Sequence, residues 1–152
     1  MKKILAAAAI LTATAGVAAA CPDYSYPGAQ QGHTTGEALY LPDSYNTYAG
    51  GPSNLRNCTG QAGFFTVQPN FQFQIDGLSP QYRRLQIRAV SSCDTVLLVN
   101  DAHGNWYHND DTNGFDPAVT LVNAPSGTYD IWVGTYNGQN CSAQLQMETW
   151  NN

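Results

Sequence analysis

Residues 93–136 read C-D-T-V-L-L-V-N-D-A-H-G-N-W-Y-H-N-D-D-T-N-G-F-D-P-A-V-T-L-V-N-A-P-S-G-T-Y-D-I-W-V-G-T-Y. Val96, Leu97, Leu98 and Val99 form an apolar run of strand length, suited to a strand covered on both faces. Turn chemistry follows in Asp101, Ala102, His103, Gly104 and Asn105, where Gly104 can take the positive φ that a tight hairpin needs. Trp106 and Tyr107 begin the return strand, which runs out into Asn109, Asp110 and Asp111. Residues 118–122 give another strand, Pro125, Ser126 and Gly127 a turn, and residues 129–133 an alternating strand.

Outside this stretch the same grammar repeats. Residues 63–67 and 71–75 read as strands, the second placing Phe71, Phe73 and Ile75 on one face. Asp76 and Gly77 turn the chain, and Pro80 blocks continuation. Residues 84–90 alternate again, with Leu85, Ile87 and Ala89 inward and Arg84, Gln86 and Arg88 outward. Residues 143–150 supply the last strand. Residues 22–60 are rich in turns, with residues 38–41 (A-L-Y-L) expected as a short edge strand. No window sustains a helical period. The expectation is an all-β fold, an antiparallel β-sandwich or jelly roll of about eight strands, without helix in the mature chain.

Residues 1–20 have the layout of an export signal: Lys2 and Lys3, a short apolar run, then Ala18, Ala19 and Ala20 before the cleavage point. The remaining residues, 21–152, are expected to form a single domain outside the cytoplasm, periplasmic or extracellular, monomeric and without a membrane span. Cys21 at the new N-terminus fits either a lipoprotein or a disulfide. Acylation would leave Cys58, Cys93 and Cys141 as an odd set, so two disulfides are favoured. Of the three connectivities, Cys21–Cys58 with Cys93–Cys141 staples each part of the chain separately. Asn57, Cys58 and Thr59 fit a glycosylation sequon only formally, since Cys58 is expected to be bridged.

Removing the signal removes both lysines. Arg56, Arg83, Arg84 and Arg88 then face all 11 acidic residues, a net charge of −7. Such a surface repels nucleic acid and anionic lipid. Arg83, Arg84 and Arg88 could grip an anion, but solvated strand positions that resist edge-to-edge aggregation are the favoured reading. Tyr24, Tyr26, Tyr40, Tyr45 and Tyr48 could form a sugar- or protein-binding face, or simply cover the edge of a small β-core.

The features D-T-V-L-L-V-N-D-A-H-G, N-D-D, D-P-A-V-T-L and G-T-Y-D-I-W-V-G-T-Y resemble the bacterial pre-peptidase C-terminal domain, most specifically over residues 94–136. The resemblance implies a β-sandwich that accompanies secreted peptidases or stands alone, commonly binds calcium and acts as an accessory module. The residues make a related point by themselves. Folding residues 96–99 back on residues 106–109 brings Asp94 opposite, or within two residues of, Asp111, and like charges across a strand pair repel. Asn109, Asp110 and Asp116 fall in the same neighbourhood. A divalent cation would convert this repulsion into coordination, and an oxygen-only set selects calcium. The alternative is a solvated acidic loop of turn formers. The resemblance carries over to Asp94, Asp110 and Asp111; Asp116 rests on its neighbourhood alone.

His33, His103 and His108 lack zinc-site spacing. There is no G-x-S-x-G elbow, H-E-x-x-H pair or phosphate-cradling glycine loop, and no catalytic residue is assigned. The expected function is a secreted or periplasmic binding or accessory module, without catalysis and stabilised by calcium, whose partner is an extracellular protein or glycan. The alternatives are a small hydrolase using the acidic cluster and a purely structural envelope protein.

Overall fold

The computed structural model describes residues 20–78 and 84–151. The expected signal therefore lies outside the described residues except for Ala20, and so do Pro80 and Arg83. The described chain builds two sheets. Eleven strands appear among these residues: β1 Gln30–Thr35, β2 Asp43–Ala49, β3 Ser53–Asn54, β4 Phe64–Phe65, β5 Phe71–Asp76, β6 Arg84–Ser91, β7 Thr95–Asn100, β8 Trp106–Asn109, β9 Ala118–Val122, β10 Gly127–Thr135 and β11 Cys141–Trp150. One sheet has four antiparallel strands in the order β2-β11-β6-β9. The other has seven strands centred on β10, which pairs with β7 along one edge. Its other edge takes β5 up to Ile131 and β4 at Thr135. β8 extends the sheet beyond β7, and β1 beyond β5 in the parallel sense.

Side-chain alternation explains how the sheets stack. Phe71, Phe73 and Ile75 of β5 meet Leu85, Ile87 and Ala89 of β6 and Leu145 and Met147 of β11 in the main core. β10 contributes Tyr129, Ile131 and Val133 to the same layer. The opposite face of the larger sheet carries a second core: Val96, Leu98 and Trp132, covered by Leu55, Phe65 and Cys58. β7 is therefore buried at every position, as its unbroken apolar run implies. Gly134 makes the cover possible, since a Cβ there would sit 2.5 Å from the Phe65 ring and 2.6 Å from the Phe64 carbonyl oxygen.

Four expectations are corrected. Strands number eleven among the described residues, not about eight. Within the turn-rich residues 22–60, Gln30–Thr35 and Asp43–Ala49 are edge strands held by backbone pairing. Residues 38–41 are no strand. Thr35 Oγ1 accepts from Ala38 N at 3.0 Å, and Ala38–Tyr40 forms a 3-10 turn that drops Leu39 into the main core. The described residues also contain one α-helical turn, α1 Arg56–Thr59, ended by Gly60 at φ 84°, where no helix was expected. That helical turn carries Cys58 over the second core.

Cys21 pairs with Cys58 and Cys93 with Cys141, leaving no free cysteine among the described residues. The first bond ties the N-terminal segment to α1; the second joins the loop before β7 to the start of β11. Two disulfides belong with an oxidising compartment. No helix among the described residues is long and apolar enough to cross a membrane.

Candidate functional site

The β7–β8 hairpin carries most of the residues singled out in the sequence. Its turn is organised by Asp101, which is only 4% exposed. Asp101 Oδ1 accepts from His103 N and Asn105 N, both at 2.9 Å, and its Oδ2 accepts from Asn105 Nδ2 at 3.1 Å and Tyr107 Oη at 2.9 Å. Burial alone would push this carboxyl up. The donors from Asn105, His103 and Tyr107 outweigh it and hold the group below the usual carboxylate range. Gly104 takes φ 80°, as the turn requires. Asp101 is thus a structural carboxylate, a role its position in a turn only hinted at.

At the other end of the hairpin, Leu97 lies opposite Asn109, so the ladder points Asp94 toward the chain at Asp111 and Thr112. Burial, then the Asp111 and Asp110 carboxylates, raise the Asp94 carboxyl above its ordinary range. Asp94, Asp110 and Asp111 therefore share one electrostatic neighbourhood.

Asn109 and Asp116 are engaged elsewhere. Asn109 Oδ1 accepts from Thr112 Oγ1 at 2.8 Å and Ala118 N at 3.0 Å, while its Nδ2 donates to the Asp111 carbonyl at 3.3 Å. It shapes the loop leading into β9. Asp116 Oδ1 accepts from Ser91 N at 3.1 Å, and Asp116 lines a cavity of about 170 Å³ together with Arg88 and Thr112. Among the described residues, no three acidic, histidine or cysteine side chains form a group able to hold a metal ion.

The histidines are dispersed. His33 Nε2 lies 2.8 Å from Asp76 Oδ2 at the surface, and His108 Nε2 lies 2.7 Å from the Ala62 carbonyl oxygen. His103 stands exposed in the hairpin turn.

Tyr45 and Tyr48 fall on opposite faces of β2. Tyr45 packs on Phe71 and Phe73, with ring centroids 6.0 and 4.8 Å away. Tyr48 stands 74% exposed on the edge strand β2. Tyr24, 55% exposed, comes within 5.9 Å of Trp106, a residue the sequence offered only as the start of a strand. Trp106 is 44% exposed and lies 5.3 Å from the fully buried Trp132. Beside it is an apolar cavity of about 200 Å³ lined by Cys21, Leu55, Cys58, Leu98 and Trp106. No spacing in the sequence reveals this group, because Leu98, Trp106 and Trp132 come from three strands and only register puts them on one face.

No family model and no curated protein matches this sequence. Several solved structures are similar to it. One is a periplasmic inhibitor of g-type lysozyme from Aeromonas hydrophila, 11% identical, covering 80% of this chain and 99% of that one with a TM-score of 0.46. Another is the pre-peptidase C-terminal domain of a collagenase from Bacillus anthracis, 12% identical, covering 82% of this chain and 97% of that one with a TM-score of 0.48.

Proposed function

We propose that the protein is an exported, non-catalytic binding or accessory module of the periplasm or extracellular space. The observation that carries this reading is the seating of Trp106. Its ring rests on buried Trp132, leaves 44% of its surface in water and borders an apolar cavity beside the Cys21–Cys58 disulfide. An aromatic side chain held rigidly and partly exposed presents contact area at little entropic cost, which is the physics of a binding anchor. The cavity beside it is mainly apolar, and its polar lining is the Thr59 hydroxyl and the Gln61 amide, which hydrogen-bond to each other.

Calcium at the rim of Asp94, Asp110 and Asp111 is the second part of the proposal. Its support is the hairpin register that aims Asp94 at Asp111, where burial first and then the Asp111 and Asp110 charges raise the Asp94 carboxyl. These three side chains would hold the ion, which must draw them together, and it would supply neutralising charge.

The experiment is a paired screen of the disulfide-bonded protein, on immobilised extracellular glycans and proteins and on glycosidase and peptidase substrates. Saturable binding without turnover is expected. Turnover that survives chelation and disappears in Asp110→Asn would replace the module with a hydrolase.

A further inference from the structure

One register line crosses the outer face of the larger sheet. Gln31 on β1 lies opposite Gln72 on β5, Gln72 opposite Asp130 on β10, Asp130 opposite Asn100 on β7, and Asn100 opposite Trp106 on β8. Paired residues share a face, and Asp130 alternates with the inward Tyr129 and Ile131. Four strand spacings of about 4.8 Å make this row roughly 19 Å long. It starts with an exposed amide and ends at Trp106, with Tyr24 beside it.

We propose that this row binds a neutral polysaccharide chain, with Trp106 and Tyr24 as stacking platforms and Gln31, Gln72, Asn100 and Asp130 as hydrogen-bonding groups. The inference rests on the binding-module reading and names its ligand class and site.

Three features select this occupant. First, the hydrogen-bonding inventory is matched to hydroxyls. Asp130 Oδ1 accepts from Gln72 Nε2 at 2.9 Å, and its Oδ2 has no protein partner among the described residues. Asn100 spends its amide only on a long 3.5 Å contact with the Asn105 carbonyl. Asn100 and Asp130 are only 4% and 5% exposed, so they form the floor of the row between exposed Gln31 and Trp106, where a carboxylate oxygen and an amide can take one hydroxyl donor and one acceptor from a sugar ring. Second, charge complementarity excludes anions. The row contains no cation and one carboxylate, so uronic acids, phosphates and nucleic acids are repelled. Third, Trp106 and Tyr24 offer π-faces at a tilt of 55°, against which the apolar C–H face of a pyranose packs.

Asp130 also makes a poor purely structural residue. It is 5% exposed, and burial raises its carboxyl despite the Gln72 donor. An asparagine would keep the Gln72 contact without the desolvated charge. A ligand hydroxyl donating to Oδ2 gives the charge a use.

The test is affinity electrophoresis of the protein, expressed from the full chain with its disulfides formed. The gels contain hydroxyethylcellulose, mixed-linkage β-glucan, neutral arabinoxylan or galactomannan, with polygalacturonate and gelatin as the anionic-glycan and polypeptide arms. Retardation by at least one neutral polysaccharide is expected, weakened about tenfold or more by Trp106→Ala and by Asp130→Asn. Gln31→Ala, at an exposed position, is expected to weaken it without altering the melting curve, and so separates binding from folding. Gln86→Ala on the other sheet should leave it unchanged. The proposal falls if no neutral polysaccharide retards the protein, or if Trp106→Ala and Asp130→Asn both leave retardation intact. Retardation by gelatin alone also sinks the glycan face, while the module reading stands. Release of reducing ends from a polysaccharide that still needs Trp106 would sink the non-catalytic reading and keep this face.

Discussion

The side-chain carbonyl of Asn70 accepts a hydrogen bond from Val133 N at 2.9 Å, standing in for a missing strand. On that edge of β10, pairing with β5 ends at Ile131 and pairing with β4 occurs at Thr135. Val133 falls in the gap. Its N–H goes to Asn70, and its carbonyl accepts from Gly50 N at 3.0 Å. Asn70 Nδ2 meanwhile donates to the Tyr48 carbonyl at 3.1 Å, so one amide links β10 of the larger sheet to β2 of the smaller.

Asn70→Ala should therefore orphan a buried backbone N–H, which costs about 2–3 kcal/mol. The expected readout is a drop in melting temperature on the order of 5–10 °C for a domain of this size. A drop of under about one degree would mean that water replaces the amide without loss.

Gly134→Ala tests the second core. The added methyl meets the Phe65 ring and the Phe64 carbonyl, and backbone cannot step aside as a flexible side chain can. Overpacking of this kind costs about 1–3 kcal/mol. Chemical denaturation should show a lower midpoint, and near-ultraviolet dichroism should change, because Trp132 shares the cluster with Phe65. An unchanged midpoint would mean that β4 lifts away freely.

Asp101 and Asp130 should give opposite acid responses. Asp101 is held below its ordinary value, so its stabilisation is present above the unfolded value of about 3.9 and is lost as pH falls through the lower folded value. Asp130 is held above its ordinary value, so its ionised form costs stability at neutral pH, and that cost is relieved as pH falls through the raised folded value. Asp101→Asn should lower the melting temperature at neutral pH and flatten the loss in acid. Asp130→Asn should leave it equal or higher at neutral pH and steepen the decline toward acid. Melting curves from about pH 7 down to about pH 3 read both signs, and a common slope for the two variants contradicts the assignment.

Calcium should stabilise the protein through Asp94, Asp110 and Asp111. With a dissociation constant of about 0.1 mM, free calcium of about 1 mM adds roughly 1.4 kcal/mol. That raises the melting temperature by about 3–6 °C. Magnesium should do less, chelator should abolish the effect, and Asp111→Asn should reduce it while sparing the metal-free protein one repelling charge. Identical melting curves with calcium and with chelator would leave the rim as a solvated acidic loop.

Period-two alternation in residues 71–75 and 84–90 was enough to assign both inward faces, because a half-buried strand writes its burial directly into the chain. The apolar run of residues 96–99 likewise announced a strand covered on both sides. Asp94, Asp110 and Asp111 were legible as neighbours because a hairpin's register follows from its turn. Edge strands β1 and β2 were not legible: they earn their place through backbone pairing, which any polar sequence can make. Asn109 and Asp116 looked like ligands from proximity in the chain, and only the folded loop assigns their oxygens to Thr112, Ala118 and Ser91. The row from Gln31 to Trp106 was hidden for the same reason. Its members come from five strands far apart in sequence, and strand order and register, which put them side by side, are properties of the whole packed sheet.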